Sequence, residues 1–302
     1  MSLNFIRTDV RQELHSKALY YLDQGFSVAL VTLVNVEGSA PYPLGSQMLV
    51  SSEGEYVGQI TGGCAEQAIA DQACMAIKDR ENRTQRYGMG STFFDIQLPC
   101  GSGIDVHIDV TKRYLDFKNV ASALENRRPV TEKIVSSIGS FDKTYHPNQR
   151  LVLLGQGPIL IACAKIGLQA GFDLLCIAQN ELTSALLAQH GLVSTSLSNC
   201  PDLSNICDEY TGVVSLFHEH EHETTLLAQA LESNAYYIGA LGSRRTHCQR
   251  LDALLNHGID RGGLERIYGP VGVNISAKTP SQIAVAVVAQ AIDELNIKHF
   301  SS

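Results

Sequence analysis

The 302-residue sequence has no tryptophan, no CxxC pair and no excess of positive charge. It also has no apolar run near the roughly 20 residues that a membrane helix needs. Each absence excludes a class. Lys and Arg total 23 against 31 Asp and Glu, a net charge of −8. Such a surface does not follow a phosphate backbone over any length, which excludes nucleic acid as a partner. The eight cysteines form neither a zinc ribbon nor a thioredoxin-type motif. Charged residues make up only 18% and hydrophobic ones 44%, too apolar for a disordered chain and enough for a sizeable core. The first residues, MSLNFIRTDVRQEL, lack the basic-then-apolar layout of a signal peptide, so the expected location is cytoplasmic, away from membranes, with reduced thiols.

What is present reads as an α/β chain in two halves. A helix is expected over residues 9–24, with Asp9 as N-cap and Gly25 as stop. Period-2 segments follow at 27–34, 47–51, 56–61, 92–97 and 104–110. One strong helix interrupts them over 65–80, where Ala65, Ile69, Ala73 and Ile77 share a face. Residues 1–137 are therefore expected to form an N-terminal α+β domain with mainly antiparallel strands. The polar, aperiodic stretch 138–149 is expected as a linker. From 150 to 302 strands and helices alternate, as in a Rossmann-like, doubly wound parallel sheet.

Three loops of the second half carry chemistry. Gly155-Gln156-Gly157-Pro158 follows a strand and opens a helix, the setting of a phosphate or dinucleotide loop. Leu160 stands at its third glycine position. Gln179-Asn180 stands where an NAD site places its ribose-binding acid, so a scaffold kept for packing competes with a nucleotide site. His218, His220 and His222 lie just past a strand and are candidate ligands for a divalent metal; the competing reading is a solvated polar turn. Ser243-Arg244-Arg245 begins a helix, where arginines oppose the helix dipole unless an anion or an acidic neighbour is close.

In the first half, Thr61-Gly62-Gly63-Cys64-Ala65-Glu66 places Cys64 at a helix start, a setting that favours a thiolate, with two glycines that allow a ligand to approach the backbone. Pro99-Cys100-Gly101-Ser102-Gly103 places Cys100 in a turn of small neighbours. A soft thiolate suits a soft metal. Cys74, Cys163 and Cys176 read as structural.

These residues resemble the XdhC/CoxI family. The N-terminal match rests on Gly38-Ser39-Ala40-Pro41 with Pro43 and Gly45, on Gly62-Gly63-Cys64-Ala65-Glu66, and on Cys100-Gly101. The C-terminal match rests on the Gly155 loop, His218-Glu219-His220, Gly242-Ser243-Arg244-Arg245, and Tyr268-Gly269-Pro270-Val271-Gly272 followed by Thr279-Pro280. The resemblance spans nearly the whole chain in order. It departs at Tyr42, where the family usually has Arg, at Glu219 for Asp, and at Ser102 for Gly.

The resemblance implies an accessory protein rather than an enzyme. It would bind the molybdenum cofactor (molybdopterin) and help insert its sulfurated form into a xanthine dehydrogenase-type apoenzyme, with a cysteine desulfurase as sulfur donor. Cys100, then Cys64, would hold the molybdenum, with Gly62, Gly63, Glu66 and Gly101 beside them. Gly155, Gly157, Ser243, Arg244 and Arg245 would be contacts in the second half. It also implies a homodimer. The residues alone leave an alternative open, an NAD(P)-dependent oxidoreductase using the second half. The apolar helix behind Pro280 is either buried or an oligomer contact.

Overall fold

A computed structural model describes residues 5, 14–91, 101–217 and 222–299. The expected N-cap Asp9, the strand expected over 92–97, Cys100, His218 and His220 lie outside the described residues. The chain divides into two units. One is Gln12–Pro147; the other is Asn148–Ser302 with Met1–Arg11.

The first unit runs α1 (Leu14–Asp23), β1 (Val28–Glu37), β2 (Gln47–Ser51), β3 (Tyr56–Gly58), α2 (Glu66–Asp79), β4 (Arg83–Gly88), β5 (Gly103–Asp109), α3 (Tyr114–Glu125), β6 (Val130–Ser136) and β7 (Gly139–Tyr145). Five strands form one antiparallel sheet in the order β3-β2-β1-β5-β4. Period-2 alternation sends Ala29, Val31, Leu33, Met48 and Val50 to one face, where Ile69, Ala70, Ala73 and Ala76 of α2 cover them. Each large aliphatic side chain buried there contributes about 1.5–3 kcal/mol. On the other face Val28, Leu30 and Leu49 meet Ala18 and Tyr21 of α1 and Phe117 of α3. Further along that face the contact turns polar: Gln47 Nε2 donates to Thr32 Oγ1 at 3.0 Å and to the Tyr145 hydroxyl at 3.1 Å.

The stretch expected as a linker carries β7, which pairs with β6 as a two-stranded ribbon. The inward positions of β6 include the half-buried Glu132 and Ser136 beside the buried Ile134, so its inward face has no apolar period to read. Strand β4 shows no apolar period either, because Arg83, Thr84, Gln85 and Arg86 precede its one fully buried residue, Tyr87.

The second unit runs β8 (Arg150–Gly155), α4 (Gly157–Gln169), β9 (Asp173–Ala178), α5 (Glu181–Gln189), β10 (Thr195–Ser196), α6 (Leu203–Ile206), β11 (Thr211–Leu216), α7 (Glu223–Glu232), β12 (Tyr237–Ala240), α8 (Arg244–Asn256), α9 (Arg261–Leu264), β13 (Ile267–Tyr268) and α10 (Pro280–His299). Its sheet is parallel throughout, in the order β10-β9-β8-β11-β12-β13. The strand order reverses between β8 and β11, which makes a Rossmann sheet with its crevice outside the carboxyl ends of those two strands. β9 and β11 are buried at every residue, as strands covered on both faces must be. Cys163 and Cys176 are core residues, and burial pushes each thiol up to about 12.

α10 begins with a capping box: Thr279 Oγ1 accepts from the Gln282 amide, and Gln282 Oε1 accepts from the Thr279 amide, both at 3.3 Å. Ala284, Val287, Val288 and Ala291 of this helix sit in the core beside Leu160 and Cys163 of α4. Among the described residues no helix is long and apolar enough to cross a membrane.

Candidate functional site

The first unit gathers its conspicuous loops at one end of the antiparallel sheet. β1 and β4 end there and β5 begins there, with Glu37 and Gly88 both paired to Gly103. The loop after β1 reaches from the residue before β5 to the turn that precedes α2. A Cβ at Gly38 would lie 3.3 Å from Ser102 Cβ, and one at Gly62 would lie 3.8 Å from both Pro41 Cγ and the Tyr42 ring. The Tyr42 hydroxyl donates to Gln59 Oε1 at 2.5 Å. The structure therefore brings together the 38–46 loop, the 61–66 turn, and Gly101-Ser102, whose neighbour Cys100 lies outside the described residues.

The 61–66 turn is built around Glu66, which is 3% exposed. Its Oε1 accepts from the amides of Ile60 (3.1 Å), Thr61 (2.6 Å) and Gly62 (3.0 Å). Its Oε2 accepts from the Thr61 hydroxyl and from the amides of Gly63 (2.8 Å) and Ala65 (3.3 Å). Thr61 Oγ1 in turn accepts from the Ala65 amide at 2.9 Å. Burial alone would raise the Glu66 carboxyl, but the Thr61 hydroxyl and these amides outweigh it and hold it at about 2. To wrap a carboxylate this closely the backbone takes φ of +76° at Gly62 and +106° at Gly63, which explains the paired glycines. Cys64 emerges from the turn exposed, as a free thiol. The residue expected beside the cofactor is thus turned inward, and the thiol between the glycines and the helix is turned outward.

Arg86 has no signature in the sequence. Its guanidinium pairs with Glu37 and with Asp105 (3.0 Å), and its Nε donates to Met89 O at 2.8 Å. Asn35 Nδ2 donates to the same Asp105 carboxylate at 2.9 Å. The arginine braces the strand ends against each other across 49 residues of chain, a separation that no local pattern reports.

In the second unit the Gly155 loop lies at the switch point. Gly155 has φ +132°, and a Cβ there would come within 2.5 Å of the Leu216 carbonyl carbon and oxygen. That glycine is required by the close approach of β8 to β11. The Gly157 amide donates to Thr183 Oγ1 at 3.0 Å, and Asn180 Nδ2 donates to Gln156 Oε1 while Asn180 Oδ1 caps α5 through the Thr183 amide. Leu160, at the third glycine position, is fully buried in the core.

Ser243 Oγ caps α8 by accepting from the Thr246 amide at 3.1 Å. Arg244 and Arg245 are exposed, and among the described residues neither forms an ion pair. His222 is exposed at the start of α7. Among the described residues no cluster of three metal-ligating side chains occurs.

Beneath these loops lies a buried charge pair that no sequence motif marks. Arg250 is 3% and Glu223 1% exposed. Arg250 NH2 lies 3.1 Å from Glu223 Oε1 and donates to Leu241 O at 2.7 Å, and the Ser215 hydroxyl donates to Glu223. The His247 ring, beside Arg250, packs so close to Gly269 that a Cβ there would fall 2.1 Å from its Nδ1. Burial, then the charge of Arg250, lowers the His247 pKa.

Known proteins share both halves of this architecture. A family model described as the XdhC Rossmann domain matches residues 151–291, and one described as the XdhC and CoxI family matches residues 21–88. The molybdenum cofactor insertion chaperone PaoD of Escherichia coli is 31% identical over 299 residues, covering 94% of this chain and 88% of that protein. A Bacillus subtilis protein described as a probable xanthine dehydrogenase subunit is 25% identical over 90% of this chain and 94% of its own length. A solved structure from Bacillus halodurans, described as a xanthine dehydrogenase, shares the fold with a TM-score of 0.75 at 20% identity, covering 96% of this chain and 98% of that one.

Proposed function

The chain belongs to the XdhC and CoxI family, and from that premise we propose that it is a maturation factor that carries the molybdenum cofactor to a molybdoenzyme of the xanthine dehydrogenase type. The observation that carries this reading is the exposed Cys64 thiol on a preformed turn, in a chain with 31% identity to a molybdenum cofactor insertion chaperone. The donor set suits the cargo: a soft thiolate binds a thiophilic metal, and the side of the turn away from Glu66 is open, with nothing within 4 Å of a Cβ at Gly63. Cys100, the residue before Gly101 in the sequence, is the second thiol of the proposal. Delivery of a sulfurated form, supply of that sulfur by a cysteine desulfurase, and action as a homodimer belong to the same proposal.

Two features of the Gly155 loop weigh against the oxidoreductase alternative. The Gly157 amide, which would face a pyrophosphate, already donates to Thr183, and Asn180 rather than an acid follows β9.

The test is titration of the purified chain with molybdenum cofactor, reading molybdenum retained after gel filtration. Wild type retains about one equivalent per chain, and Cys64→Ser or Cys100→Ser loses it while keeping the wild-type melting temperature. No retention by wild type sinks the proposal.

A further inference from the structure

Cys64 sits in a turn in which the amides of residues 60–63 and 65 all point to one carboxylate. Six donors converge on two carboxylate oxygens, three on each, and five of the six are backbone amides of residues 60–65. Of these amides only that of Ala65 belongs to the cap of α2; the other four lie in the turn that leads into the helix. No rotamer of a glutamine meets the same demand, because its NH2 group would face three donors whichever way the amide turned.

We propose that Glu66 is a positioning residue for Cys64: its carboxylate serves as a built-in anion that folds residues 60–65 into one conformation and presents the thiol outward. This rests on the reading of Cys64 as the thiol that takes the metal. It adds that this carboxylate fixes where the thiol points.

The experiment is amide hydrogen exchange of the full chain, followed by mass spectrometry, and it needs no cofactor. Glu66→Gln speeds exchange at residues 60–65 by about ten-fold or more, since several buried donors lose a charged acceptor, while the middle of α2 keeps its protection. Glu66→Ala behaves alike, and sodium formate slows its exchange again where sodium chloride at equal ionic strength does not. Thr61→Val removes one donor to the carboxylate and the acceptor of the Ala65 amide; it raises exchange by a smaller factor and decides the matter where Glu66 variants fail to fold. Unchanged exchange at 60–65 in Glu66→Gln or in Thr61→Val, a rise spread evenly through α2, or formate acting no differently from chloride overturns the proposal. Absence of molybdenum retention by wild type would remove the carrier reading and leave these exchange results standing.

Discussion

Both units bury a glutamate at the first position of a helix at the loop-bearing end of a sheet, and they neutralise it in opposite ways. Glu66 opens α2 and is held by donors within six residues of itself. Glu223 opens α7 and is held by Ser215 and Arg250, 8 and 27 residues away. In the first case the backbone of one turn supplies nearly every bond, and no countercharge is needed. In the second the charge is balanced by a side chain that must itself be brought out of water, so the pair is worth keeping only while both members are present. Local solvation of a charge shapes a loop, whereas pairing of distant charges ties helices together, here α7 to α8.

Removing the arginine should produce the largest effect. Arg250→Met leaves a buried carboxylate without its cation and is expected to cost about 3–5 kcal/mol in urea unfolding, with much of that returned by adding Glu223→Gln. A loss below about 1 kcal/mol would mean that Glu223 is neutralised as locally as Glu66 is, and the contrast between the units would fail.

Acid should separate the units next. His15, 6% exposed and edge-on to Tyr145 at 4.5 Å, has its pKa lowered to about 4 by burial and then by Lys112 and Lys143. Between pH 6.5 and 4 the unfolded chain binds a proton at His15 that the folded chain refuses, so stability falls as pH falls, by an amount on the order of 3 kcal/mol. Glu66 acts later. Its contribution is complete above 4.5 and is lost as the pH drops from there toward 2. Urea midpoints of wild type and His15→Phe, compared between pH 7 and pH 4.5, should therefore diverge; parallel curves would show that His15 is not the group responsible.

The smallest effect belongs to Asn180. Asn180→Ala removes the cap of α5 and the tie to Gln156 and should cost about 1 kcal/mol, read as a small drop in melting temperature. A drop several times larger would make the Gly155 loop depend on side-chain bonds as heavily as the Glu66 turn depends on backbone ones.

The same division decides what the sequence discloses. Strand β2 and helices α2, α5 and α10 are visible because their periods and caps lie within one segment: Gln47–Ser51, the Ala65-Ile69-Ala73 face, Asn180 with Thr183, Thr279 with Gln282. The turn at Gly62-Gly63-Cys64 is visible as a motif, but the direction in which Glu66 points is not, because a buried and an exposed glutamate are the same letter. β4 and the β6–β7 ribbon are hidden because charged and hydroxyl side chains occupy their inward positions. Arg86 with Glu37, and Arg250 with Glu223, are hidden because their partners are far along the chain. Gly155 is visible as a loop glycine, and its reason is Leu216, on a strand 61 residues later.

The Glu66 turn has a consequence for exchange at the thiol it carries. A loop that is ordered by its own carboxylate has lost its conformational freedom when the chain folds, before any ligand arrives. Docking then immobilises only the incoming molecule, and departure leaves the loop in the shape it had before. Under the proposed carrier role, residence time at Cys64 would be set by the sulfur bond itself, with no refolding of the turn on either side of it.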